Sequence, residues 1–344
     1  MVRKTSMKDI AQDVGVSIAL VSYVLNNKKE NRISKEVAKK IQEAARRLNY
    51  QPNQIAKSLK TSKTYTLGLV VADISNPFSS SLARIIEDEA AKHAYTVLFG
   101  SSDENPQRLQ NLIDTLLNRQ VDGLIISAPE GSESQLIALQ SRIPFVLIDR
   151  YFPALSTNYV ALDNYKAIYQ GVQHLIHSGY RRIGLISFDT TLFHMSERKR
   201  GYRTALKDNQ LPLNKTWLKE LGQSTFKGEM ARAIQELLAN KQPVDAILFA
   251  SNALALHGLK QLNALGIKVP DELAILSFDE VEAYDLFYTP ITCIRQPLVD
   301  MGQMATKLLV EMIQKNNRIT QVNLEAELII RASTRPVQAL AVGE

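Results

Sequence analysis

The chain has 344 residues, 45 per cent of them hydrophobic and 22 per cent charged, with a formal net charge of +6. It is long enough for two or three packed domains and too apolar for a disordered or low-complexity chain. The single cysteine, Cys293, excludes an internal disulfide framework and fits a reducing compartment.

The first 30 residues hold no 7 to 15-residue apolar run, and no stretch reaches the roughly 18 apolar residues of a spanning helix. Neither export nor membrane anchoring is therefore expected, and a cytoplasmic location is. Charge is unevenly spread. Residues 1 to 63 carry 14 Lys/Arg against 5 Asp/Glu, a net of +9, while residues 64 to 344 carry 27 against 30, a net of −3. A basic terminal module on an acidic body is the electrostatic footprint of a polyanion ligand, DNA first among candidates.

In chain order, M-K-D-I-A-Q-D-V (7–14) places Ile10, Ala11 and Val14 on one helical face, and Gly15 stands where a helix ends. Ser17 is a good N-cap for a second helix, whose inner face is Val21, Val24 and Leu25. Two short helices across a glycine-containing turn form a helix-turn-helix, in which the start of the second helix meets base edges. That nominates Ser17, Ile18, Ala19, Ser22, Tyr23 and Asn26, with Lys29 in the loop that follows. Ser34 caps a third helix, whose Val37, Ala38, Ile41, Ala44, Ala45 and Leu48 close a small core.

P-N-Q-I-A-K-S-L-K (52–60) opens with a proline suited to a first helical turn and carries Ile55, Ala56 and Leu59 beside Lys57 and Lys60. Nine residues do not hold a helix alone in water, so this segment needs a twin helix or a DNA groove. Leu59 between lysines has the parts of a minor-groove wedge, with Asn53 and Ala56 on the same segment.

From Thr64 onward apolar runs of strand length alternate with helical patterns. The runs 67–72, 95–99, 123–127 and 144–149 form one series, and 159–163, 182–187, 245–250 and 273–279 another. Continuous apolar strands imply parallel sheets covered on both faces, hence two doubly wound halves. Helices are predicted over 77–93, 106–119, 132–141, 164–178, 196–209, 226–240 and 252–265. The tail is predicted as strand 291–295, helix 297–315 and strand 324–330. Such sheets bind ligands beyond the carboxyl ends of their strands, which singles out Asp73, Ser127, Asp149, Asp189 and Asp279. Carboxylates around a cleft suit a polyol, since each accepts hydroxyl hydrogen bonds; the alternative for each is to cap the next helix.

No P-loop or dinucleotide fingerprint occurs, and Ser187 with Asp189 lacks the G-x-S-x-G elbow. His174 and His177, three apart on one helix, have no third ligand nearby, so no metal, cofactor or enzymatic activity is expected.

The segments M-K-D-I-A-Q-D-V-G-V-S-I-A-L-V-S-Y-V-L-N, L-N-Y-Q-P-N-Q-I-A-K-S-L-K-T, D-I-S-N-P-F, V-D-G-L-I-I and V-P-D-E-L-A-I-L-S-F-D together resemble the lactose/galactose-repressor family of bacterial transcription regulators. The resemblance spans nearly the whole chain. It implies a helix-turn-helix head (1–51), a hinge helix (52–61) that pairs with its twin in the minor groove, and a body (62–344) like a periplasmic sugar-binding protein. The body's first subdomain is expected at about 62–160 and 295–324, the second at about 161–290 and 325–344. By position, Arg198, Asn252 and Asp279 look like ligand contacts from the second half, and Asp73, Phe78, Ser127 and Asp149 line the first. A nucleoid-associated homodimer on a pseudo-palindromic operator, most simply a repressor controlled by a small carbohydrate-like effector, is the implied function. A transport-type sugar-binding protein is the alternative, though it needs neither residues 1 to 60 nor an internal location. The chain departs from the family pattern at Tyr23, where arginine is commonest, at Leu20, where threonine is usual, and at Ala253, where aspartate commonly follows the asparagine. Without that arginine the second helix lacks the fork that reads guanine, so operator preference does not transfer.

Overall fold

The computed structural model describes residues 5–26, 33–50, 63–315 and 318–336. Two compact units divide the chain, Met1–Thr64 and Tyr65–Glu344.

In the first unit, α1 (Met7–Val14) starts in a capping box, with the Ser6 hydroxyl accepting from the Asp9 amide and the Asp9 carboxylate accepting from the Ser6 amide. It ends at Gly15, whose φ of 73° is the left-handed cap that a side chain would strain. Ser17 then caps α2 (Ile18–Leu25) by accepting from the Leu20 amide at 3.2 Å, and Ser34 caps α3 (Lys35–Arg47) through the Val37 amide at 3.2 Å. Ile10, Ala11, Val21, Val24, Ile41, Ala44 and Ala45 are the buried centre, with Val14, Leu25, Val37, Ala38 and Leu48 packed around it. The predicted hinge over 52–61, with Asn53, Ala56, Lys57, Leu59 and Lys60, lies outside the described residues, as does Lys29.

The second unit is two six-stranded sheets with one topology used twice. Strands β1 (Thr66–Val71), β2 (Thr96–Ser101), β3 (Gly123–Ile126), β4 (Phe145–Ile148) and β5 (Asn158–Leu162) lie in the order β5-β4-β3-β1-β2, all parallel. Strands β6 (Ile183–Phe188), β7 (Leu218–Leu221), β8 (Ala246–Phe249), β9 (Ala274–Phe278) and β10 (Thr292–Arg295) repeat it as β10-β9-β8-β6-β7. The central strands β3, β4, β8 and β9 are buried at every residue, the physical reason their sequences are unbroken apolar runs. Between strands run α4 (Pro77–Lys92), α5 (Pro106–Asn118), α6 (Glu133–Leu139), α7 (Asn164–His177), α8 (Phe193–Asp208), α9 (Phe226–Leu238) and α10 (Asn252–Ala264). Last, α11 (Leu298–Ile313) returns to the first sheet and packs on α4.

Four details differ from the sequence expectation. The run 159–163, read with the second series, is β5 of the first sheet, paired with β4, because an apolar run records burial and not which sheet supplies the neighbour. The strand predicted over 324–330 is the shorter β12 (Glu327–Ile329), antiparallel to β10 in the second sheet, and an unpredicted strand β11 (Gln321–Leu324) precedes it, parallel to β5 in the first. The chain changes sheets at Glu325–Ala326, and the alternating pattern on either side hides the break. Strand β7, L-K-E-L, carries no apolar run because it is an edge strand beside β6, with Lys219 and Glu220 incompletely covered. Helix α8 begins at Phe193, three residues before its predicted start, without a side-chain cap.

Candidate functional site

Helix α2 shows the face expected to meet DNA. Ser17, Ile18, Ala19 and Asn26 are exposed, Ile18 at 49 per cent despite being apolar, while Ser22 and Tyr23 are half-buried. An exposed isoleucine beside a small alanine at a helix start leaves the backbone amides approachable and an apolar tip free for a thymine methyl. Asn26 donates to the Ser22 carbonyl at 2.7 Å, which closes the helix.

In the second unit a cavity of about 810 Å³ lies between the carboxyl ends of the two sheets, within the range of small-ligand sites. Asp73, Phe78, Ser127, Asp149, Arg198, Asn252 and Asp279 all line it; Asp189 does not. The repeated topology explains the convergence. Asp149 follows β4 and Asp279 follows β9, the equivalent strands of the two halves, and both adopt φ of 67° in the left-handed region that Asp tolerates.

Arg198 projects from α8 and is only 3 per cent exposed. Its Nε donates to Asn164 Oδ1 and its Nη1 to the Ala250 carbonyl, each at 2.7 Å, and its guanidinium carbon sits 3.4 Å from the centre of the Phe278 ring. Burial pushes the guanidinium down to about 10, against the support of Asp279 and Asp149. It remains a cation at neutral pH. Burial also pushes the Asp149 carboxyl up to about 6, opposed by Arg150 and Arg198 and reinforced by Asp279 and Glu104.

Asp279 accepts from Gln296 Nε2 at 2.7 Å and from the Asn252 amide at 3.3 Å. It thus ties the end of β9 to the first residue of α10, a structural role beside its place in the lining. Asp73 does not cap α4: it accepts from the Ser75 amide at 2.8 Å and hydroxyl at 2.9 Å, while Asn76 is the N-cap. Phe78 packs partly against the first-half core while lining the cavity.

Sequence reasoning missed several lining residues. Glu104, after β2, takes a bidentate grip from Arg150 at 2.6 and 2.7 Å, and Arg150 Nε stands 3.5 Å from Asp149. His194 and Gln296 are each 6 per cent exposed, and His194 Nδ1 and Gln296 Oε1 have no protein partner among the described residues. Burial, with Arg198 and Arg150 nearby, holds the His194 ring well below its usual range and therefore neutral. Strand-end position could have flagged Glu104 and Arg150; nothing in the sequence marks His194 or Gln296.

Side-chain contacts cross the cleft, among them Tyr151 edge-on to Phe193 at 5.2 Å between ring centres. Asn76 and Asn252 exchange side-chain hydrogen bonds, 2.7 Å from Asn252 Nδ2 to Asn76 Oδ1 and 3.3 Å in return. Glu130 accepts from the Thr190 hydroxyl and the Thr191 amide, each at 2.8 Å, and from the Thr191 hydroxyl. His174, in the last turn of α7, is half-buried and bonds the Thr334 hydroxyl at 2.7 Å, whereas His177 is exposed at the end of α7. No group of three or more His, Cys, Asp or Glu among the described residues could hold a metal ion. No described helix is long and apolar enough to cross a membrane.

Comparison with known proteins places two family models on the chain. Residues 6–53 match the bacterial regulatory proteins of the lacI family, and residues 172–334 match a periplasmic binding protein-like domain. The repressor CytR of Escherichia coli K12 is 32 per cent identical over 96 per cent of each chain. The ribose operon repressor of Haemophilus influenzae is 29 per cent identical, over 95 per cent of this chain and 98 per cent of the relative. Among solved structures, the lac repressor dimer bound to operator and the anti-inducer ONPF aligns with a TM-score of 0.84. It covers 97 per cent of this chain and all of that one at 21 per cent identity, a likeness of fold.

Proposed function

Because the chain belongs to the lacI family of bacterial regulatory proteins, we propose that it is an effector-controlled repressor that binds a pseudo-palindromic operator as a homodimer in the bacterial cytoplasm. The observation that carries this is the joining in one chain of a helix-turn-helix head, with the start of α2 exposed, to a two-sheet body with a polar cavity. A transporter's sugar-binding protein would need only the second. No catalytic constellation accompanies the cavity among the described residues, and the similar proteins are regulators rather than enzymes.

In this assignment Ser17, Ile18, Ala19, Ser22, Tyr23, Asn26 and Lys29 meet DNA, with Asn53, Ala56, Lys57, Leu59 and Lys60 of the hinge. Asp73, Phe78, Ser127, Asp149, Arg198, Asn252 and Asp279 hold a small carbohydrate-like effector. Residues 1–51 serve as the head, 52–61 as the hinge and 62–344 as the effector domain. The cavity's chemistry supports a hydroxyl-rich ligand: one stacked, anchored guanidinium faces carboxylates, with an unsatisfied acceptor at Gln296 Oε1 and an unsatisfied donor at Arg150 Nε.

The test is operator capture from a random DNA library, followed by titration of sugars and nucleosides into the complex. A selected two-fold symmetric site, and at least one compound that changes its affinity, is the expected result. Selection of no sequence, with equal binding to every duplex, overturns the proposal.

A further inference from the structure

The first half of the cavity carries an ion pair that no functional role yet explains. Arg150 directs Nη1 and Nη2 onto the two oxygens of Glu104 at 2.6 and 2.7 Å, with the Asp149 carboxylate 3.5 Å from Nε. The Arg150 and Glu104 side chains are 14 and 20 per cent exposed, so this is no solvated surface pair. Arg198 commits Nε to Asn164, Nη1 to the Ala250 carbonyl and the face of its guanidinium to the Phe278 ring. Lys227, the remaining Lys or Arg of the lining, is exposed on α9. Against these three cations stand Asp73, Asp103, Glu104, Asp149 and Asp279.

We propose that this cavity takes an uncharged polyol and refuses phosphorylated or carboxylated ones, and that Glu104 enforces the choice by occupying Nη1 and Nη2 of Arg150. This deepens the proposed function and rests on the cavity being the effector site. An entering phosphate would bring acceptor-only oxygens to a wall already rich in acceptors, and would have to displace a half-buried bidentate carboxylate to reach Nη1 and Nη2 of Arg150. A hydroxyl donates as well as accepts. Among the described residues the buried Gln296 Oε1 has no protein donor and the buried Arg150 Nε no hydrogen-bond acceptor; a hydroxyl answers both needs, whereas a phosphate dianion has no proton for Gln296.

The experiment is calorimetric titration of the full chain at neutral pH with ribose, ribose 5-phosphate and inorganic phosphate, in the parent and in E104Q, with R198A to locate any binding. In the parent the two phosphates are expected to give no saturable heat. In E104Q, where Arg150 loses its counter-charge, inorganic phosphate and ribose 5-phosphate are expected to bind at least tenfold more tightly than in the parent. Saturable binding of either phosphate to the parent that is lost in R198A overturns the proposal, and so does an E104Q protein that gains no phosphate affinity. If E104Q does not fold, E104A releases Arg150 equally. Failure of the underlying assignment is separate: a compound whose binding R198A abolishes but which leaves operator affinity unchanged would show that the cavity is not a control site, while the phosphate comparison would stand.

Discussion

Asp149 holds its carboxyl between two arginines in a place where burial still wins, pushing it up to about 6. The unfolded carboxyl titrates near 4, so between about pH 4 and 6 the folded state binds more protons, and this group's contribution to stability falls as pH rises through that window. His194 runs the other way: neutral when folded, it is protonated only in the unfolded chain as pH drops, which costs stability on the acid side. The two slopes oppose, so the parent's pH profile does not isolate either. D149N does: thermal unfolding should find it stabilised relative to the parent at pH 7, by on the order of 2 kcal/mol, with the advantage shrinking by pH 5. An advantage that does not change with pH would remove the buried carboxylate from this account. Arg198→Ala should cost about 100-fold or more in effector affinity, since it removes a cation whose desolvation is already offset by Asn164, Ala250 and Phe278. Asp279→Ala should lower both affinity and stability, because Gln296 and the Asn252 amide lose their acceptor. Unchanged melting with lost affinity would make Asp279 a ligand contact alone.

At the scale of the element, α8 is positioned by its closeness to α7. Gly201 faces Tyr165, where an added Cβ would collide with the carbonyl oxygen and press on Ile168. The backbone cannot yield as a side-chain tip could, so Gly201→Ala should push α8 away and stretch the bond from Arg198 to Asn164. A stability loss of about 1–3 kcal/mol is expected together with weaker effector binding, read by unfolding and calorimetry. In the head, α2 lacks an arginine at Tyr23, and its exposed start is apolar and small. Tyr23→Ala should change the preferred base at one operator position in a binding-site selection, whereas a change in a phosphate contact would weaken all sequences alike. Uniform loss across sequences would take Tyr23 out of base reading.

For the whole molecule the question is how a ligand in one unit changes what the other binds. The cleft is crossed by Asn76 with Asn252 and by Glu130 with Thr190 and Thr191, so a ligand that alters the separation of the two halves must work with or against these bonds. By reciprocity, the factor by which effector changes operator affinity must equal the factor by which operator changes effector affinity. We expect the hinge to carry this coupling. Leu59→Ala should reduce operator affinity and DNA bending while leaving effector affinity in operator-free protein unchanged. Hydrogen exchange of residues 53 to 60 should show protection gained on adding operator; protection already complete in the free chain would rule the mechanism out. Operator binding should also weaken linearly on a log–log salt plot, as phosphate neutralisation by the basic head requires.

The sequence by itself determined the helices of the head, most of the parallel strands and the acidic residues at their ends, because each is written in local periodicity, capping and continuous apolarity. Ser17, Ser34 and Gly15 act where their chemistry says they should, and Asp149 and Asp279 follow the strands that predicted them. Only the tertiary structure decided which of those strand ends face one another. It excluded Asp189, brought in His194 and Gln296 from segments without a local signature, and joined Glu104 to Arg150 across 46 residues. It also made 321–324 a strand beside β5 and set the run 159–163 in the first sheet, since a strand pattern records burial and not the sheet that provides it. A cavity's charge balance is likewise non-local: which cation is free to meet a ligand depends on the partner it already has, and that partner is chosen by packing.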